Sequence, residues 1–129
     1  MVRLSRISQI AIRGDDLDQA RSFYEDLLGA AFIACYDPPG LLFFNFEGTR
    51  LLIERSAPIS VVYFWVDDID ESYRQLIARR VRFESEPHMI HADVTGVFGL
   101  SGEEEWMAFF KDPSGNTLAL ASRKPVTIN

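Results

Sequence analysis

A short acidic signature occurs twice in this chain, and that repetition constrains the fold more than any other feature. Asp15-Asp16-Leu17-Asp18 returns as Asp67-Asp68-Ile69-Asp70, 52 positions later. Each copy follows an apolar run of strand character and opens a stretch of helical periodicity. Ile7, Ile10, Ala11 and Ile12 precede the first copy, and Val61 to Val66 precede the second. A further match, Gly48-Thr49-Arg50-Leu51-Leu52-Ile53 against Gly115-Asn116-Thr117-Leu118-Ala119-Leu120, is offset by 67 positions, so the second half carries about 15 extra residues. The polar, glycine-bearing stretch from His88 to Gly102 is where they fit.

Both helices have readable ends. Asp16 and Asp68 are N-caps, with Gln19 and Glu71 three residues on as capping-box partners. Leu17, Ala20, Phe23, Tyr24, Leu27 and Leu28 give the first helix its apolar face, and Gly29 ends it. Ile69, Ser72, Leu76 and Ile77 give the second a narrower stripe, and Arg79 and Arg80 are expected in its last turn, where the helix dipole favours cations. Three strand-like runs follow each helix. They are Ala31 to Tyr36, Leu41 to Phe46 and Arg50 to Glu54 in the first half, then Val81 to Glu84, Trp106 to Phe110 and Thr117 to Ala121 in the second. A further strand-like stretch lies around His88 to His91. Turn residues separate these runs, as in Asp37-Pro38-Pro39-Gly40 and Asp112-Pro113-Ser114-Gly115-Asn116.

Composition narrows the class of protein. With 129 residues, 47% hydrophobic and 25% charged, the chain reads as one globular domain rather than a disordered or fibrous one. A single cysteine, Cys35, excludes an intrachain disulfide, and its apolar run predicts a buried thiol. Apolar runs such as the six residues from Val61 to Val66 fall far short of the roughly 20 that span a membrane. Polar residues interrupt the N-terminus where a signal-peptide core would lie. The net charge of −6 disfavours a nucleic-acid partner. These features predict a cytoplasmic protein without a membrane partner. The chain has neither a Gly-rich phosphate loop nor a nucleophile elbow.

A strand–helix–three-strand unit used twice resembles the vicinal oxygen chelate superfamily, which includes glyoxalase I, the bleomycin-resistance proteins and the extradiol dioxygenases. Four stretches carry the resemblance: residues 7–12, 20–29, 64–70 and 110–116. The resemblance implies an α+β fold of two tandem β-α-β-β-β modules, about 1–57 and 58–129, in pseudo-twofold relation around one cup-shaped cavity. It also implies a homodimer and a small-molecule ligand. Members that use a metal take four ligands from inward-facing strand positions, which correspond here to Gln9, Leu52, Val61 and Ala119. Leucine, valine and alanine offer a cation no lone pair, so no metal cofactor is expected at that place.

Strand alternation then sorts the side chains that share the face of those positions. Arg13 joins Gln9, Arg50 and Glu54 flank Leu52, Tyr63 and Trp65 share the face of Val61, and Thr117 and Ala121 flank Ala119. The opposite face is apolar throughout: Ile10, Ile12, Val62, Phe64, Leu51, Ile53, Leu118 and Leu120. A mixed face with aromatics and a few polar anchors suits a ligand cavity, and it equally suits an ordinary aromatic core. Gln9, Arg13, Leu52, Glu54, Val61, Tyr63, Trp65, Trp106 and Ala119 are therefore the candidate substrate-binding residues. His88, His91 and Glu105 form a second candidate group, as a relocated site for one divalent metal ion or as an acid/base pair. The segment from Pro87 to His91, with the strand that follows, resembles an uncharacterised glyoxalase-like subgroup. Three residues apart, the two histidines point to opposite faces of a regular strand, so their convergence requires a turn. The plainer alternative is that the acidic run is solvated and the histidines bond to loop backbone. Two function classes follow: a metal-free binding protein, or a lyase or isomerase of the glyoxalase I type.

Overall fold

The computed structural model describes residues 1–125. It divides into two compact units: Met1–Ser60 with Asp112–Asn116, and Val61–Lys111 with the chain from Thr117 onward. The first unit runs β1 (Gln9–Arg13), α1 (Leu17–Arg21), β2 (Ala31–Tyr36), β3 (Leu41–Phe46) and β4 (Thr49–Glu54). The second runs β5 (Val61–Trp65), α2 (Ile69–Ala78), β6 (His88–Asp93), β7 (Glu103–Lys111) and β8 (Thr117–Pro125). Each unit is a four-stranded sheet, in the orders β1-β4-β3-β2 and β5-β8-β7-β6. In each, the opening strand lies parallel to the closing one, and all other pairs are antiparallel. A parallel pair cannot be closed by a tight turn, which is why a helix follows each opening strand. The α+β class and the repeated β-α-β-β-β order expected from the acidic signature are both present.

Capping occurs where the repeat placed it. The Asp16 carboxylate accepts from the Gln19 N–H and that of Asp68 from the Glu71 N–H, each at 3.0 Å. The first helix changes character midway. Beyond Arg21 it widens into a π-helical segment, Ser22–Leu27, and closes with the Leu28 N–H on the Phe23 carbonyl five residues back. Leu17, Ala20 and Tyr24 are its buried residues, and Gly29 ends it at φ +71°.

The apolar strand faces pack beneath the helices. Ile12, Leu42, Phe44 and Ile53 are fully buried in the first unit, with Tyr24 against Phe44 at 5.7 Å between ring centroids. Ala108, Phe110, Leu118 and Ile69 are fully buried in the second, where Phe83 packs between Tyr73, edge to face, and Phe110, at a tilt. Several expectations need correction. Ile10 is exposed, and so is Cys35, because its strand β2 is an edge of the first sheet. The run from Val81 to Glu84 forms no strand and makes a single bridge, Phe83 to Phe110. Arg80, in the left-handed region at φ +69°, turns the chain there. Arg79 caps the end of α2 and Arg80 follows it, so neither lies in the last turn.

One polar cluster in the first unit is buried. Asp112 accepts from the Tyr24 hydroxyl at 2.6 Å and from the Asn116 side-chain amide at 2.8 Å. The Asn116 amide also donates to the Arg13 carbonyl, and its oxygen accepts from the Ser60 N–H. Burial first, and the Asp112 charge after it, push the Tyr24 hydroxyl well above the usual tyrosine range. The phenol therefore stays a donor.

Candidate functional site

In the second unit, register decides which side chains face away from α2. Tyr63, Ala119 and Phe109 stand in one row across β5, β8 and β7. Trp65, Ala121, Met107 and His88 form the next row, and Arg123, Glu105 and His91 the third. The central strand β8 contributes only alanines to the first two rows, so the large side chains on either side rise above a low floor. The result is a concavity of about 420 Å³ lined by Tyr63, Trp65, Ile90, Glu105, Met107, Phe109 and Ala121. Tyr63 meets Phe109 edge to face at 6.1 Å, and Tyr63 and Trp65 remain 56% and 68% exposed.

An irregularity in β6 shapes the far side. Met89 pairs with Trp106 and His91 with Glu105, which leaves Ile90 as an extra residue in a β-bulge. The bulge restores parity, so His88 and His91 both register opposite residues of the concave face. The expectation that a turn was required is corrected: one inserted residue does the same work. The His88 ring lies 6.4 Å from that of Phe109, and its Nδ1 is 3.1 Å from the Glu86 carbonyl oxygen. The His91 ring meets Phe98 edge to face at 5.9 Å. Among the described residues, no three His, Cys, Asp or Glu side chains are grouped so as to hold a metal ion.

The charged end of the concavity is built on one guanidinium. Arg123 bonds Asp93 at 2.7 Å, Glu103 at 3.0 Å and Glu105 at 3.4 Å. Asp93 is 1% exposed and also accepts from the N–H groups of Val97 and Phe98, which fixes the start of the loop 94–102. Burial alone would raise the Asp93 pKa; the Arg123 hydrogen bond and the two N–H donors outweigh it and hold the carboxyl at about 2. Asp93 first and Glu103 after it raise the pKa of Arg123 in return.

The sequence-expected site residues fall as follows. Tyr63, Trp65 and Glu105 line the concavity. Ala119 lies beside Tyr63 on the same face, fully buried, and Val61 is exposed one pair further along β5. Trp106 is a correction: it alternates with Glu105 and Met107, so it faces the other way. There Lys124, itself bonded to Asp70 of α2, sits 4.1 Å above its ring. Gln9, Arg13, Leu52 and Glu54 belong to the first unit, where they register on one sheet face. The Gln9 side-chain oxygen there accepts from Arg50 at 3.0 Å, and Arg13 pairs with Asp15. Ile90, Met107 and Phe109 were missed. Counting parity from Glu105 finds the last two; nothing in the sequence announces the bulge that places Ile90.

Comparison with known proteins agrees with this architecture. Residues 6–120 match the family model described as the Glyoxalase/Bleomycin resistance protein/Dioxygenase superfamily. Among solved structures, a lactoylglutathione lyase from Agrobacterium tumefaciens superposes with a TM-score of 0.74 at 23% identity, covering 93% of this chain and 95% of that one. The antibiotic binding protein TnmS3 from Streptomyces sp. CB03234 gives 0.74 at 19% identity, covering 95% and 98%. A glyoxalase/bleomycin resistance protein/dioxygenase from Nocardioides gives 0.72 at 19% identity, covering 100% and 93%. At these identities the likeness is one of fold. No curated protein matches the sequence.

Proposed function

Because the chain belongs to the glyoxalase/bleomycin resistance protein/dioxygenase superfamily, we propose that it binds a small, partly hydrophobic molecule without the family's usual metal. The observation that carries this reading is the concavity itself. Its volume of about 420 Å³ suits a small molecule, and its aromatic walls are open to solvent. Apolar ligand surface placed against Tyr63, Trp65, Met107 and Phe109 is stabilised by roughly 25 cal/mol per Å² removed from water. The four family ligand positions do not fit a divalent cation. Leu52, Val61 and Ala119 have no donor atom, and the Gln9 oxygen accepts from a guanidinium. An antibiotic-binding protein among the structural relatives supports a binding role on this fold.

The two tryptophans supply the test. Trp65 lines the concavity and Trp106 faces α2. Titration with small aromatic molecules should quench fluorescence saturably in Trp106→Phe and leave Trp65→Phe unchanged. Saturable quenching that survives in Trp65→Phe would place the ligand elsewhere.

A second reading, a lyase or isomerase of the glyoxalase type, is favoured by the bulge that sets His88 and His91 on the face of Glu105. Elemental analysis of untagged protein separates the two, since that reading requires stoichiometric metal lost in His88→Ala or His91→Ala. The proposal includes a homodimer in the cytoplasm; a monomer by sedimentation equilibrium at micromolar concentration would overturn the assembly.

A further inference from the structure

We propose that the molecule bound on the second sheet is an organic cation, an amine or quaternary ammonium carried on an apolar body. This inference rests on the binding reading above and deepens it. Three features of the concave face combine to select that class.

The first is the aromatic wall. Tyr63 and Trp65 stand side by side on β5 with more than half their surface open. Ring faces attract a cation through their quadrupole, and the attraction grows as water is displaced. The fold uses such contacts elsewhere: the Arg21 guanidinium lies 3.7 Å from the Phe32 ring centroid, and the Lys124 ammonium 4.1 Å from that of Trp106. Among the described residues, no side-chain cation sits over Tyr63 or Trp65.

The second is the carboxylate. Glu105 is the one acidic side chain lining the concavity, and it makes the longest of the three contacts to Arg123. One guanidinium shared among three carboxylates leaves two negative charges in excess at this end. The tighter partners, Asp93 and Glu103, take the larger share of Arg123 and leave Glu105 the least compensated. The carboxylate of an anionic ligand would meet this excess at close range, and a neutral ligand would gain nothing from it.

The third is that, among the described residues, no free cation competes at the far end. Lys111 shares the parity of Phe109 and Met107, but its ammonium is held by Glu84 at 3.4 Å and the Thr117 hydroxyl at 2.5 Å. Of the remaining charged or titratable groups on this face, His88 and His91 lie along the β6 edge.

A pair of probes of equal shape tests the charge alone. In the Trp106→Phe background, where Trp65 is the only tryptophan, (3-hydroxyphenyl)trimethylammonium and 3-tert-butylphenol are titrated separately. The cation should bind at least tenfold more tightly than its neutral counterpart. Adding Glu105→Gln should bring that ratio below threefold, and a thermal unfolding midpoint within a few degrees of the parent's controls for any loss of structure. Equal or tighter binding of the neutral probe overturns the cationic class and leaves the binding site standing. A preference that persists in Glu105→Gln overturns the role of the carboxylate. If neither probe saturates the Trp65 signal, the binding reading itself fails, and this inference with it.

Discussion

Asp93 shows how much one side chain settles in the second unit. It ends β6, pairs with Arg123 from β8 and caps the N–H groups of Val97 and Phe98, so a single buried carboxylate joins an edge strand, a central strand and a loop. Its ionised form is favoured by those three donors and opposed by burial, with the donors prevailing at a pKa of about 2. An unfolded aspartate titrates near 3.9, roughly. The folded value is the lower, so this residue's contribution to stability is complete above about pH 4 and is lost as pH falls toward 2. In that window the unfolded chain binds one more proton here than the folded one. Urea unfolding between pH 5 and 2 should therefore show stability falling with acidity, and Asp93→Asn should flatten the fall while lowering stability at pH 7. An unchanged pH slope in the variant would remove Asp93 from this role. The sequence displayed Asp93 only as one of several acids in a polar stretch; its burial and its partner 30 residues away depend on tertiary pairing that no local pattern encodes.

At the level of elements, alternation carried most of the information and one bulge withheld the rest. Tyr63 and Trp65 could be placed on one face because β5 is a regular strand. Trp106 is expected among the substrate-binding residues with Tyr63 and Trp65, yet in β7 it alternates with Glu105 and Met107 of the concave face and so faces the other way. His88 and His91 obeyed neither a regular strand nor a turn, because Ile90 is extra. The pairs His88–Met107, Met89–Trp106, His91–Glu105, Ala92–Glu104 and Asp93–Glu103 all exist without it. Removing a residue from inside a strand ordinarily turns everything beyond it to the other face. Here deletion of Ile90 should leave a regular strand with every one of those pairs intact. The half-exposed side chain costs roughly 1 kcal/mol when lost, a few degrees in Tm. Deletion of Ala92, by contrast, should turn Asp93 away from Arg123 and lower Tm several times as far. Thermal scans of the two deletions decide it: equal losses would mean that Ile90 is part of the ladder after all.

The whole molecule adds a constraint that neither repeat contains alone. The first unit is not a continuous stretch of chain: it takes Asp112–Asn116 from far beyond the strand that ends its own sheet. The repeat made both modules legible, yet a repeat implies that each is complete, and the sequence marked Asp112-Pro113-Ser114-Gly115-Asn116 as a turn and as part of a family-like stretch, not as a piece of the first unit. Its chemistry becomes clear from what it satisfies. Asp112 accepts from the buried Tyr24 hydroxyl, the Asn116 amide donates to the Arg13 carbonyl, and the Asn116 oxygen accepts from the Ser60 N–H. A chain ending at residue 60 keeps Tyr24, Arg13 and Ser60 but has neither side chain to answer them. The buried Tyr24 hydroxyl left without its partner costs roughly 1–3 kcal/mol, and the partly buried Arg13 carbonyl and Ser60 N–H lose their bonds as well, a sizeable share of the roughly 5–15 kcal/mol that stabilises a whole small domain. A fragment of residues 1–60 should accordingly show no cooperative unfolding transition in urea, although its four strands and helix are all present. The full chain should unfold in a single transition, and Asp112→Ala should lower its midpoint by more than loss of either helix cap in Asp16→Ala or Asp68→Ala, each worth about 1 kcal/mol. A fragment 1–60 that folds cooperatively would show that the borrowed turn is dispensable and that the two repeats are separable domains.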